Sequence, residues 1–189
     1  MREDTQRWID SDKRCAWHPF TPQDAWTDDD HEPLVLVRGE GVWLWDSEGR
    51  RYLDGNSSIW TNLHGHNHPG ITAAIKAQLD EVAHTSYLGF ANPRASELAE
   101  RLVAISPQEL ERVFFSDNGS TAVEVAMKMA IQFRLQTGEP ARNRFAAFTN
   151  AYHGDTMGAA SLGGVSRFFE RFRSLGVGVD FVDTVAGLD

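Results

Sequence analysis

The feature that most constrains this chain is the order of textures between residues 112 and 148. Arg112-Val-Phe-Phe-Ser116 is short and apolar, and Asp117-Asn-Gly-Ser-Thr121 is a polar turn containing one glycine. Ala122 to Arg134 then repeats apolar residues at Val123, Ala126, Met127, Ala130 and Phe133. Period two, a break, then period 3.6 predicts strand, turn, helix. Arg144–Phe148 and Val177–Val182 read as further strands, with a helical stretch at Val165–Phe172 between them. Strands separated by helices run parallel in one sheet, which makes the fold class α/β. Two or three such strands leave edges and a face uncovered, and the chain stops at Val185-Ala-Gly-Leu-Asp189 without a closing element. The expectation is therefore a truncated, mainly parallel sheet, the beginning of a larger domain.

Upstream, Leu34–Val37, Gly41–Trp45 and Arg51–Asp54 are strand-like runs parted by Gly39-Glu-Gly41 and Asp46-Ser-Glu-Gly49, which predicts a small antiparallel meander. Pro69 opens a helix with Ile71, Ala74, Ile75 and Leu79 on one face, and a second helix runs from Arg94 to Val103, stopped by Pro107. Residues 1–32 are polar and acidic, but their tryptophans and Phe20 imply packing against something. The division that results is 1–66, an N-terminal segment with its meander, and 67–189, the start of the large domain.

Composition removes several function classes. With 18 Lys and Arg against 27 Asp and Glu, the net charge of −9 is the wrong sign for neutralising phosphates, so no nucleic acid is expected. No apolar run approaches the roughly 18 residues of a membrane span, and Met1–Arg7 is too polar for a signal peptide. Cys15 is the single cysteine, which allows no internal disulfide and fits a reducing cytoplasm.

Two turns could carry chemistry. Free N–H groups at the start of the helix after Asn118 would suit a phosphate, with Gly119 allowing close approach and Ser120 and Thr121 adding hydroxyls. The same residues also fit an ordinary helix start capped by Asp117, Asn118 or Ser120. Tyr152-His153-Gly154-Asp155 follows the next strand, at the sheet edge where ligands of α/β proteins gather. Tyr152 could stack on a flat ring while His153 or Asp155 orients a neighbour; taken alone, the motif is better read as a polar loop with a packed tyrosine. His64-Gly-His-Asn-His68 holds three imidazoles, but His68-Pro69 reads as a helix entry, and no metal is expected. Trp17-His-Pro-Phe20 and Ser57-Ser-Ile-Trp60 are aromatic-rich and suit either packing or the walls of an apolar pocket.

Together these stretches resemble the class III aminotransferases of fold type I. The likeness rests on Trp17–Thr21, Asp54–Ser58, His64–Pro69, Phe115–Ser120, Val123–Ala130 and Tyr152–Asp155. Trp-His-Pro-Phe-Thr is the most particular of them, and is similar to the branch that aminates 8-amino-7-oxononanoate in biotin synthesis.

The resemblance implies a pyridoxal 5'-phosphate enzyme that makes 7,8-diaminononanoate from small-molecule substrates, as a cytoplasmic homodimer with sites shared between subunits. It implies cofactor binding by Asn118, Gly119, Ser120 and Tyr152, with His153 and Asp155 in support. Phe20, Ile59, Trp60 and Tyr152 fall at substrate-lining positions. The family's Schiff-base lysine lies beyond Asp189; Lys13, Lys76 and Lys128 do not match it, so no catalytic residue is assigned here and this piece alone is expected to be inactive. Members using S-adenosylmethionine as amino donor have tyrosine at the position of Phe20 and tryptophan at that of Ile59. Relatives like this chain at both positions include lysine users, which leaves the donor open between the two. The competing readings are another class III ω-amino acid transaminase and a non-catalytic interaction module that keeps the fold's N-terminal half.

Overall fold

In a computed structural model the described residues are 3–165 and 169–183. They form two compact units, Met1–Phe90 and Ala91–Asp189.

The first unit opens with a helix the sequence reading did not anticipate, α1 (Glu3–Cys15). Acidic Glu3 and Asp4 sit in its first turn and basic Lys13 and Arg14 in its last, each favourable to the helix dipole. Thr5 and Ile9, four residues apart, are its buried stripe, so the segment packs, but not through the residues expected to do it: Trp17 and Phe20 are exposed. The Thr5 hydroxyl donates to Ser47 Oγ at 2.8 Å. A short α2 (Gln23–Thr27) follows; there Trp26 Nε1 donates to Asp12 Oδ1 at 2.8 Å and its ring lies 3.9 Å from that of His18.

The expected meander is present: β1 (Leu36–Glu40), β2 (Trp43–Asp46) and β3 (Arg51–Leu53) pair antiparallel in that order. Asp46 closes the β2–β3 turn by accepting the N–H groups of Glu48 and Arg50 on Oδ1, while Arg50 Nε and the Tyr52 hydroxyl donate to Oδ2 at 2.7 and 2.9 Å. Burial pushes this carboxyl upward, but the Arg50 and Tyr52 hydrogen bonds outweigh it and hold Asp46 below the ordinary range.

After β3 comes a single turn, α3 (Ser57–Trp60), whose four residues all have positive φ, from 49° to 69°. The predicted helix at Pro69 is α4 (Pro69–Glu81), with Pro69 in its first turn and the His68 ring accepting the Ile71 N–H.

In the second unit, α5 (Pro93–Ile105) matches the predicted Arg94–Val103 helix and is capped by Asn92. α6 (Gly119–Gln136) matches the predicted long helix and starts three residues earlier than expected. β4 (Phe145–Phe148) and β5 (Val179–Val182) pair in parallel, Phe145 opposite Val179 and Phe148 opposite Val182, as the α/β reading requires. Between them lie α7 (Met157–Ser161) and a 3-10 helix, Glu170–Leu175. Met127, Ala147, Ala159, Ala160 and Phe169 are the buried apolar centre. Arg144 spans the strand pair, donating to both carboxylate oxygens of Asp180.

One predicted strand is absent. Arg112–Ser116 has irregular backbone and belongs to no sheet among the described residues. A strand exists through ladder hydrogen bonds, and apolar composition alone does not supply them. β4 is paired to β5 on one edge only, and Phe114 is 63% exposed. Of the predicted helix Val165–Phe172, residues 166–168 lie outside the described residues, as does Val185–Asp189. Among the described residues no helix is long and apolar enough to cross a membrane.

Candidate functional site

Asn118 is extended (φ −161°, ψ 178°) and stands just before α6 as its cap. Its side-chain oxygen accepts the Thr121 N–H at 3.0 Å, and its own N–H donates to Thr121 Oγ1 at 3.1 Å. Threonine at the third helical position serves here as glutamate does in the usual capping box. This arrangement engages the Thr121 N–H and, through the Asn118 carbonyl, that of Ala122. The N–H groups of Gly119 and Ser120 have no acceptor within the chain among the described residues, since the first N–H groups of a helix have no intrahelical partner. A Cβ on Gly119 would meet no atom within 4 Å, so this side of the turn is open.

The opening is a shallow cleft of about 810 Å³ lined by the helix start and the second loop. Asn118, Gly119, Ser120 and Val123 form one wall; Tyr152, His153, Gly154, Asp155 and Thr156 form the other. The two turns singled out in the sequence are thus brought together. Capping and an open anion-type site also prove compatible, because Asn118 satisfies Thr121 and leaves Gly119 and Ser120 free.

The walls are tied by one hydrogen bond, the Asp155 N–H donating to Ser120 Oγ at 2.9 Å. The Tyr152 hydroxyl donates to Asp155 Oδ2 at 2.7 Å, and its ring stacks on Phe169 with centroids 6.1 Å apart. That hydrogen bond, with some burial, raises the phenol above its ordinary value, so it is neutral at physiological pH. Tyr152 remains 55% exposed, which leaves its ring accessible from the cleft. None of Lys13, Lys76 and Lys128 lines the cleft.

Phe20, Ile59 and Trp60 belong to the first unit and are exposed there. Ile59 and Trp60 lie in the left-handed turn α3, and Phe20 also has positive φ, 53°. Asp54 holds that turn, with Oδ1 accepting the Ser58 N–H at 2.9 Å and Oδ2 the Ser58 hydroxyl at 2.8 Å. His66 Nε2 lies 2.7 Å from Asp54 Oδ2. The Ser58 hydrogen bonds, with that of His66, bring the Asp54 carboxyl down to about 2. His64 and His68 meet edge to face at 6.0 Å, and His68 also caps α4, so the histidine cluster has structural employment at each position.

Sequence reasoning passed over Glu124, Thr156 and the pair Asp54–His66. Glu124 Oε1 accepts the N–H groups of Gly158 and Ala159 at 2.8 and 3.2 Å. A signal for Glu124 was present: it stands four residues after Ser120, as Gly158 stands four after Gly154.

Comparison with known proteins gives the family of the chain. The family described as aminotransferase class-III matches residues 26–183. The adenosylmethionine-8-amino-7-oxononanoate aminotransferase of Geobacter sulfurreducens is 54% identical over 172 residues, covering 91% of this chain and 38% of that relative. A crystal structure of the enzyme so named from Methanocaldococcus jannaschii superposes with a TM-score of 0.91 at 39% identity, over 96% of this chain and 41% of the other. An amine transaminase from an uncultivated Pseudomonas species, in its PLP-bound form, gives a TM-score of 0.79 at 41% identity, over 90% of this chain and 38% of that one. The chain therefore spans 38% of the length of the Geobacter relative. These superpositions bear out the transaminase fold expected from the sequence, and with a family match running from Trp26 to Asp183 the chain belongs to the class III aminotransferases.

Proposed function

We propose that this chain provides the cofactor-phosphate end of a pyridoxal 5'-phosphate aminotransferase that converts 8-amino-7-oxononanoate to 7,8-diaminononanoate in biotin synthesis. The observation that carries the reading is the open start of α6, where Gly119 and Ser120 present unengaged N–H groups to a cleft faced by Tyr152. The names of the relatives above give the substrate.

The residues fit the cofactor. The Gly119 and Ser120 N–H groups, at the positive end of an 18-residue helix, would hold the cofactor's phosphate. Among the described residues no Lys or Arg lines the cleft, so what this chain offers the charge is backbone donors, the Ser120 hydroxyl and the helix dipole. Asn118 keeps the turn in register. The Tyr152 ring is placed to stack on the flat pyridine, its tilt governed by Asp155, and His153 forms part of the rim. When bound, pyridoxal phosphate supplies the electron sink through which an amino group passes from donor to ketone.

In this reading Phe20, Ile59 and Trp60 are apolar contacts for the substrate's hydrocarbon chain, and Tyr152 has a substrate-binding as well as a cofactor-binding role. Residues 67–189 begin the cofactor-binding domain, and 1–66 form a segment that contributes to substrate selection. The protein acts as a cytoplasmic homodimer, the donor being S-adenosylmethionine or lysine. The test is to titrate the full-length gene product with pyridoxal phosphate, add 8-amino-7-oxononanoate with each donor, and look for 7,8-diaminononanoate by mass spectrometry. Cofactor binding followed by amination of ω-amino acid partners alone would move the protein to another class III activity. Absence of cofactor binding would leave an interaction module.

A further inference from the structure

The second loop is seated on α6 at two points with matching spacing. At the first, Gly154 lies against Ser120: a Cβ there would fall 1.7 Å from Ser120 Oγ and 2.9 Å from its Cα. At the second, Gly158 lies against Glu124, where a Cβ would fall 2.4 Å from Oε2. Ser120 and Glu124 are one turn apart on the same face of the helix, and Gly154, in the loop, and Gly158, in the first turn of α7, are likewise four residues apart. Each notch combines a glycine, which lets the chain approach, with a side chain that accepts N–H groups facing it: that of Asp155 in the loop on Ser120, and those of Gly158 and Ala159 in the first turn of α7 on Glu124.

One notch would leave a pivot. The loop is also tied at Ala151, whose carbonyl accepts the Gly164 N–H at 3.0 Å, so with only the Ser120 contact beyond it the stretch carrying Tyr152 could still rock about the line joining those two points. The second notch removes this freedom, and it is anchored in the interior, since Ala159 and Ala160 are buried. The Thr156 hydroxyl, near the carboxylate but short of hydrogen-bond geometry, joins the two N–H groups and Lys128 in outweighing burial, and Glu124 is held below the ordinary carboxyl range. It is therefore an anion, and a strong acceptor, at neutral pH.

We propose that Glu124 is a positioning residue for Tyr152: by accepting the Gly158 and Ala159 N–H groups in the second notch, its carboxylate sets where the loop sits on α6 and so how the Tyr152 ring faces the Gly119–Ser120 turn. The functional weight of this inference rests on the cofactor reading above, while its geometric content does not.

The test uses the protein labelled with 3-fluorotyrosine. There are three tyrosines, and the Tyr152 fluorine signal is the one lost in Tyr152→Phe. Glu124→Ala should shift that signal, lower the Tyr152 phenol titration toward an ordinary tyrosine, and speed amide exchange at Gly158 and Ala159. Gly158→Ala should do the same with the carboxylate still present, since the new methyl meets only the mobile end of Glu124. Glu124→Gln keeps an oxygen that accepts both N–H groups and should leave the Tyr152 signal near the wild-type position. With pyridoxal phosphate, affinity should fall by up to about tenfold in the alanine variant and recover in the glutamine one, as a misplaced stacking partner implies. A Tyr152 signal unmoved in Glu124→Ala or Gly158→Ala, or displaced as far in Glu124→Gln as in Glu124→Ala, overturns the proposal. Failure of the cofactor reading looks different: pyridoxal phosphate would leave the wild-type Tyr152 signal unchanged while the variants still moved it.

Discussion

The hydroxyl of Tyr152 donates to Asp155 Oδ2 at 2.7 Å, and the N–H of that same Asp155 donates to Ser120 Oγ at 2.9 Å. One aspartate thus joins the aromatic wall of the cleft to the helix start opposite. Tyr152→Phe keeps the ring and loses the brace, and Tyr152→Ala loses both. The phenylalanine variant is expected to weaken pyridoxal phosphate by less than about tenfold, since one solvent-accessible hydrogen bond is worth about 0.5–1.5 kcal/mol. The alanine variant should weaken it further and alter the cofactor's absorbance band. Equal affinities in fluorescence titrations of all three proteins would remove Tyr152 from the cofactor site.

The same brace has a pH signature. The Tyr152 phenol is raised by its bond to Asp155, so the folded state holds that proton more tightly than the unfolded chain does. Its stabilising contribution is complete below the ordinary tyrosine range near about 10 and is lost as pH rises through the raised value. Thermal melts across the alkaline limb should fall less steeply in Tyr152→Phe than in the wild type. Parallel curves would show that the brace contributes nothing to folding.

At the acid end the corresponding group is Asp54. Its carboxyl is brought down to about 2 by the Ser58 hydrogen bonds and by His66. A depressed carboxyl stabilises the fold above its unfolded value, near about 4, and loses that contribution as pH falls through the folded one. Asp54→Asn should therefore flatten the acid limb between about 4 and about 2, the two values that bound the linkage. Circular dichroism melts at graded pH make the measurement, and an acid limb identical to wild type would count against the carboxylate's role in holding the α3 turn.

That turn also separates stability from function. Ser57, Ser58, Ile59 and Trp60 are all left-handed, a conformation that costs non-glycine residues roughly 1–2 kcal/mol each. Ile59 is β-branched, so it is the least suited of the four, and at 65% exposure its side chain returns little packing energy. Ile59→Gly should accordingly raise the melting temperature while impairing turnover of the long-chain ketone. Strain kept at an exposed apolar residue is expected where presentation of the side chain matters. A variant that is both less stable and fully active would contradict the idea.

The sequence disclosed those parts of the molecule that rest on local periodicity and failed where tertiary partners decide. α6, α4 and the meander follow from residue spacing, and the Gly119 turn from its place between strand-like and helical textures. α1 went unread because Ile9 and Thr5 form a narrow stripe in a polar background. Arg112–Ser116 has the composition of a strand, yet pairing is a relation between segments that composition does not reveal. The left-handed turn was hidden because Ser-Ser-Ile-Trp contains no glycine to announce positive φ. Asp54 and Glu124 owe their roles to groups four to 35 residues away, brought near by the fold.

In the proposed reading the amino donor is selected by what the first unit presents. Phe20 has no hydroxyl, and Ile59 offers an aliphatic wall where the adenosylmethionine users of the family have tryptophan. A donor whose polar group loses a hydrogen-bond partner on burial is penalised by about 1–3 kcal/mol, whereas the methylene stem of lysine packs well on an aliphatic wall. Lysine, or a donor of that shape, is therefore expected to react faster than S-adenosylmethionine, despite the donor in the name of the Geobacter relative. The double variant Phe20→Tyr, Ile59→Trp should restore the adenosylmethionine preference, shifting the ratio of kcat/KM by about ten- to a hundredfold if those interactions decide the choice. Single-turnover mixing of cofactor-loaded protein with each donor, followed by the change in cofactor absorbance, measures both rates. Rapid reaction with S-adenosylmethionine and none with lysine in the wild type would assign donor selection to residues other than these two.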